Sequence, residues 1–186
     1  MIYGKTVISD AASLRHAAPL DLRMPVAADG PAVWKLIAAT PSLDKNSLYC
    51  NLLQCSHFAA TCTLAERDGT VVGWMSGYVP PDQPDTLFVW QVCVGEAARG
   101  QGLARRMIGE VLARPGAQAI THIACTITEN NAPSWALFGS VARLLNVPLA
   151  RQEHFTRAVH FDGSHDSELA VTIGPFDRRH VAALAA

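Results

Sequence analysis

The decapeptide Glu96-Ala97-Ala98-Arg99-Gly100-Gln101-Gly102-Leu103-Ala104-Arg105 decides how this chain folds. It follows an apolar run, Leu87 to Val94, that reads as a buried strand, and it precedes Leu103, Met107, Ile108, Val111 and Leu112, whose spacing is helical. The segment is therefore a strand-to-helix turn. Gly100 and Gly102 let the backbone curl with its amides turned inward and no Cβ in the way, where the helix presents unpaired N–H groups and the positive end of its dipole. Such a turn is an anion cradle, suited to a phosphate or pyrophosphate.

Spacing separates the phosphate-binding patterns that compete for this stretch. A P-loop needs Lys and then Ser or Thr after its last glycine, whereas Leu103 and Ala104 follow here. A dinucleotide fingerprint needs three glycines, and only two are present. The pattern that fits is Arg99-x-x-Gly102-x-Ala104, which resembles the acetyl-CoA pyrophosphate loop of the GCN5-related N-acetyltransferases. An ordinary Gly-rich turn is the plainer alternative, and the surrounding sequence has to decide between them.

The 186 residues, 49% of them hydrophobic, suffice for one well-formed core, so a single domain is expected. We divide the chain into a flexible arm over 1–19, a domain over 20–175 and a tail over 176–186. Fifteen basic and sixteen acidic residues leave a formal charge of −1, which gives no global field to attract nucleic acid or anionic lipid. Neither nucleic acid nor membrane is expected as a partner. Twelve of the basic residues are Arg, and Arg99, Arg105 and Arg106 flank the cradle, where a guanidinium fork suits phosphate oxygens and a solvated helix face is the plainer reading. Five cysteines form no CxxC pair and several lie on apolar faces, which points to a reducing cytoplasm. The first residues lack the continuous apolar stretch of a signal peptide, and no run approaches a membrane span.

The spacing predicts a short strand over Leu22 to Val26, then a helix with Asp29 as N-cap, Pro31 in its first turn, and Val33, Trp34, Leu36 and Ile37 along it. A second helix is expected over Ser47 to Cys55, with Leu48, Leu52 and Cys55 on its inward stripe. Thr61 to Glu66 and Thr70 to Tyr78 read as strands joined by a tight Asp68-Gly69 turn. Beyond the cradle helix, Ile120 to Ile127 reads as a buried strand, Asn131 to Leu145 as a helix, and the stretch to Ile173 as one or two further strands. This order implies an α/β (α+β) fold, a mixed central sheet with helices on both faces, as in the acetyltransferase fold; a doubly wound fold alternates more regularly.

The segment Asn130-Asn131-Ala132-Pro133-Ser134-Trp135-Ala136-Leu137-Phe138 extends the resemblance. In this superfamily an Asn opens the helix after the fifth main strand and contacts the cofactor arm, with a Tyr seven residues later near the sulfur. Asn131 and position 138 match that spacing, but Phe138 stands where the phenolic proton donor is expected. A helix cap with ordinary core packing also explains Asn131 and Phe138 taken alone. Six blocks narrow the match: Leu43-Asp44-Lys45-Asn46-Ser47, Asn51 to Cys55, Ser76 to Pro81, Leu87-Phe88-Val89-Trp90-Gln91-Val92, Thr126-Ile127-Thr128, and His160 to Asp166. Together they resemble the diaminobutyrate acetyltransferases of ectoine synthesis, over about Leu20 to Pro175.

That resemblance implies transfer of acetyl from acetyl-CoA to the side-chain amine of L-2,4-diaminobutyrate. It implies cofactor contacts at Val92, Val94, Arg99, Gly100, Gly102, Leu103, Ala104, Asn131 and Phe138, with a thioester oxygen held by backbone N–H around Val92 to Val94. A homodimer is also implied. A diamine calls for acidic and aromatic neighbours, and the candidates are Asp44, Glu168 and Trp90 for ammonium recognition. Their plainer readings are a helix N-cap for Asp44, a solvated strand end for Glu168 and a core aromatic for Trp90. His165 is a candidate for orienting the amine or accepting its proton, and Asp44 and Glu168 are the other candidate bases. His160, His165, Asp166 and Glu168 invite a metal reading, but acyl transfer from a thioester needs no Lewis acid and no metal is expected. Acetylation of another diamine or of a protein amine, and a non-catalytic acetyl-CoA sensor, stand beside the leading reading.

Overall fold

β-branched and aromatic runs punctuated by tight turns pair into a single mixed sheet. A computed structural model describes residues 19–41 and 43–186. The arm expected over 1–19 lies outside the described residues except for Pro19. The strands are β1 (Asp21–Arg23), β2 (Thr63–Arg67), β3 (Thr70–Tyr78), β4 (Thr86–Val94), β5 (His122–Thr128), β6 (Leu149–Phe155) and β7 (Glu168–Ile173). They lie in the order β1-β2-β3-β4-β5-β7-β6, antiparallel except where β4 meets β5. Asp68 (φ 52°) and Gly69 (φ 71°) form the expected two-residue turn between β2 and β3, both in the left-handed region that a primed hairpin turn requires. The stretch after the fourth helix yields two strands, and β1 is shorter than expected.

Helices cover both faces. On one, α1 (Gly30–Ala38) and α2 (Leu48–Ser56) lie over Cys62, Leu64, Trp74 and Cys93, burying Val33, Ile37 and Cys55. On the other, α3 (Leu103–Ala113) and α4 (Ala132–Leu145) bring Met107, Ile108, Leu112, Val141 and Leu145 against Met75, Leu87, Ile123 and Val171. No helix among the described residues is long and apolar enough to cross a membrane.

Two local expectations change. Asp29 occupies the N-cap position of α1 without capping it by its side chain, because its carboxylate accepts from Arg23 (2.8 and 2.9 Å) and from Val26 N (2.8 Å). In α2, Leu48 is 41% exposed, and the buried side carries Asn51, Gln54 and Cys55. That helix packs on α1 and the turn before it, so its inward stripe is rotated from the one that the apolar residues suggest. Asn51 Nδ2 donates to Gln54 Oε1 (2.9 Å), which satisfies half of this polar pair, while Asn51 Oδ1 and Gln54 Nε2 are buried without a partner among the described residues. The segment after β7 also packs against the domain: Phe176, Val181 and Leu184 are buried, and Arg178 donates to the carbonyl of Leu112 in the last turn of α3 and to those of Ala117 and Ile120 in the connection beyond it.

Candidate active site

The feature that creates the site is the divergence of β4 from β5. The two are paired only at Thr86–His122, Leu87–Ile123 and Phe88–Ala124, so from Val89 onward β4 has a sheet neighbour on one side alone. Alternation along β4 turns the N–H and C=O of Val92 and Val94 to that edge, where they face a wedge rather than a ladder partner, while those of Cys93 point to β3. The cradle closes one side of it. Gly100 (φ +73°) and Gly102 (φ +68°) both adopt the left-handed conformation, and Gly102 is the N-cap of α3 with no side chain capping it, which leaves the first-turn amides open. The side chain of Leu103 is in the core, so this residue offers the cradle only its amide.

Val92, Val94, Arg99, Ala104 and Asn131 line a cavity of about 590 Å³ beside the cradle. Arg99 is fixed there by its Nε, which donates to Val94 O (3.1 Å). Asn131 Oδ1 accepts from Ser134 N (3.1 Å) and so caps α4, with the residue itself exposed at the cavity edge. The plainer reading of Asn131 as a cap is therefore true, and it coexists with a place in the wedge. These residues, with open amides and no Cβ at Gly100 or Gly102, fit a diphosphate-bearing acyl carrier.

A second cavity of about 710 Å³ adjoins the first, and Asp44, Trp90, His165 and Glu168 all line it. Leu43, Val92, Thr128, Asn131 and Ser134 line both cavities, so the two meet through the wedge. A β-bulge prepares this pocket. Ser76 pairs with Gln91 but Gly77 pairs with Val89, which leaves Trp90 as an extra residue with its indole turned out of the core, 50% exposed. The bulge needs glycine on β3, since a Cβ at Gly77 would lie 2.8 Å from Phe88 O. Tyr78 packs on Phe88 (5.1 Å between ring centroids) and edge-on to Trp90 (6.3 Å), forming an aromatic wall.

Around that wall the polar candidates arrive from separate segments. Asp44 sits exposed in the loop before α2 and is not its cap; Ser47 is, with Oγ accepting from Cys50 N (3.1 Å). Glu168 opens β7, is partly buried, and pairs in register with Thr128 and Phe155. His165 Nδ1 lies 2.7 Å from Asp166 O, and because a carbonyl only accepts, Nδ1 carries the proton and Nε2 of the neutral ring keeps its lone pair. Its ring packs on Phe161 at 4.7 Å.

Cys125 also lines this cavity, but burial and the neighbouring Glu168 carboxylate hold its thiol far above the usual range, so it is protonated and not a nucleophile. Phe138 is buried and closes the cavity from behind with hydrocarbon. Sequence reasoning missed Tyr78, Gln91 and Asn46 as lining residues, although all three lie in blocks that carry the resemblance. The plainer reading of Trp90 as a core aromatic does not hold, since the residue is half exposed at a bulge that is invisible in sequence. Among the described residues no three His, Cys, Asp or Glu side chains are grouped closely enough to hold a metal ion.

This geometry matches known proteins. The family model of the acetyltransferase (GNAT) family matches residues 32–141. The L-2,4-diaminobutyric acid acetyltransferase of Methylotuvimicrobium alcaliphilum is 50% identical over 157 residues, 84% of this chain and 91% of that protein. The enzyme of the same name from Chromohalobacter salexigens is 44% identical over 163 residues, 87% of this chain and 84% of that protein. Among solved structures, the diaminobutyrate acetyltransferase of Paenibacillus lautus, in complex with its substrate L-2,4-diaminobutyric acid and coenzyme A, superposes with a TM-score of 0.82 at 36% identity, covering 86% of this chain and 97% of that one. Wedge, cradle and sequence lead to one assignment: the chain belongs to the acetyltransferase (GNAT) family and, within it, to the L-2,4-diaminobutyric acid acetyltransferases.

Proposed function

We propose that the chain transfers acetyl from acetyl-CoA to the side-chain amine of L-2,4-diaminobutyrate, the step that supplies the precursor of ectoine, and that Asp44, Trp90, His165 and Glu168 carry its substrate side. The observation that supports this most is the meeting of two cavities through the wedge, one beside a diphosphate cradle and one bearing two carboxylates, an imidazole and an aromatic wall. A diamine brings two cations, which Asp44 and Glu168 balance, while Trp90 offers a π-face to an ammonium.

The amine must lose a proton before it attacks. With a pKa of about 10, only about one alkylammonium in a thousand is free amine near neutrality. His165 Nε2, whose tautomer the Asp166 carbonyl fixes, is the acceptor we favour, with Glu168 and Asp44 holding the cation until the proton leaves. The amine nitrogen then bonds to the acetyl carbon as the C–S bond breaks, open-edge amides of Val92 and Val94 steady the oxygen, and the second proton of the acylated nitrogen passes to the departing thiolate, leaving a neutral amide and a thiol. The thiolate released has an ordinary pKa of about 8.5, close enough to neutrality to leave without an acid, so Phe138 in place of a Tyr is no obstacle.

We further propose a cytoplasmic homodimer. Five unpaired cysteines support a reducing compartment, and the exposed outer strand β6, whose last residue Phe155 lines the amine cavity, offers an edge to a second copy. The central test is kinetic. Asp44→Asn and Glu168→Gln should each raise the Michaelis constant for diaminobutyrate roughly tenfold to a hundredfold, as loss of a charge-assisted hydrogen bond predicts, and leave that for acetyl-CoA nearly fixed. Wild-type constants in both variants would remove these carboxylates from the site.

A further inference from the structure

We infer that Gln91 is a positioning residue that clamps the Asp44 loop onto β4 and thereby sets substrate affinity. The amide of Gln91 uses both of its ends on one loop. Its Nε2 donates to Asp44 O (3.0 Å), and its Oε1 accepts from Asn46 Nδ2 (3.2 Å). A planar amide is the side chain that offers a donor and an acceptor a fixed distance apart, so it grips the Asp44 carbonyl and the Asn46 side chain two residues on. Glutamate lacks the donor and leucine lacks both.

The place of the clamp gives it leverage. Gln91 follows the bulged Trp90, pairs in register with Ser76, and stands on the strand whose far edge forms the wedge. The loop it holds is anchored at one end by Leu43, packed against the core under α1, and at the other by the Ser47 cap of α2. Asp44 lies between those anchors, and Gln91 ties that stretch to the same strand that carries Trp90. The relative positions of carboxylate and indole, both on the wall of the amine cavity, then depend on one side chain. Without it, binding must first order the loop, and that cost falls on substrate affinity and not on the chemical step.

This inference rests on the role proposed for Asp44, and the experiment keeps the two apart. Gln91→Leu is expected to raise the Michaelis constant for diaminobutyrate about tenfold, with turnover and CoA affinity within about twofold of wild type, since two hydrogen bonds are lost and neither touches the reacting atoms. Asn46→Ala, on an accessible loop where folding is not at stake, removes one of the two bonds and should give about threefold. In an Asp44→Asn background Gln91→Leu should raise the constant no further, because the group it positions is gone. Additive effects would mean that Gln91 contacts substrate directly, and would overturn the inference. Amide hydrogen exchange over residues 43–47 supplies a readout independent of Asp44: faster exchange in Gln91→Leu supports the clamp, and unchanged exchange overturns it. A wild-type Michaelis constant in Asp44→Asn alone, with fast exchange in Gln91→Leu, would sink the proposed role of Asp44 and with it the effect on affinity, leaving only a loop clamp.

Discussion

Ten consecutive residues make the cradle, whereas the neighbouring pocket draws Asp44, Trp90, His165 and Glu168 from the loop before α2, a bulge in β4, the loop after β6 and the start of β7. In the proposed function the cradle binds with backbone amides, presented by glycines at positive φ. The pocket would bind with side chains whose mutual distances exist only after the sheet is paired. A shared cofactor can therefore be gripped by a short local motif, while the amine selected is set by long-range assembly that can change without disturbing the cradle.

The sharpest way to break this contrast is Gly102→Glu. It forces a left-handed φ of +68° on a residue with a Cβ, directs that Cβ to within 3.0 Å of the Arg105 guanidinium, and adds a negative charge where diphosphate oxygens belong. Left-handed strain and reversal of the local field together should weaken CoA binding roughly a thousandfold. Diaminobutyrate affinity, measured separately by calorimetry, should stay near wild type. Parallel loss of both would show that the two cavities do not bind independently.

A smaller effect is expected where the two regions touch. Phe138 sits on α4 of the cofactor side and closes the back of the amine cavity, nearly fully buried. Phe138→Ala should cost about 2 to 3 kcal/mol of stability, at or below the usual range for a buried Phe because one side of the ring already faces a cavity. Read by chemical denaturation, that loss should come with no change in the basic limb of the pH-rate profile. A shifted basic limb would give the position a chemical role that hydrocarbon packing does not explain.

Legibility in the sequence follows the same division. Leu87 to Val94, the Asp68-Gly69 turn and the helix opening at Leu103 are local patterns, and each appears in the structure within a residue or so of its expected bounds. Leu48 misled because α2 packs on another helix rather than on the sheet, so apolar spacing did not mark its buried side. The splay of β4 from β5 left no trace at all, since it depends on where pairing stops and not on which residues pair. Asp44 and Glu168 were reached through resemblance alone; nothing in local pattern says that a loop near the start and a strand near the end line one cavity.

The mildest test concerns the corner where β1 leads into α1. Arg23 holds Asp29 with two hydrogen bonds and also reaches Glu66 (2.9 Å), tying the entry of α1 to β1 and β2. The Arg23 guanidinium, and after it the Val26 amide, keep the Asp29 carboxyl below the usual carboxylate range. A depressed folded value stabilises the native state above the unfolded pKa of about 3.9, and that contribution fades as pH falls through the lower folded value. Asp29→Asn should therefore cost about 1 kcal/mol at pH 7, a modest figure because Arg23 is partly solvated, and the gap to wild type should close in acid below about pH 4. CoA affinity should not move, because Arg23, Asp29 and Glu66 line neither cavity. Thermal melts across that pH range, with CoA titrations beside them, check both halves: a gap that persisted in acid would mean that packing rather than charge holds this corner, and a fall in CoA affinity would couple this corner to the cofactor cavity.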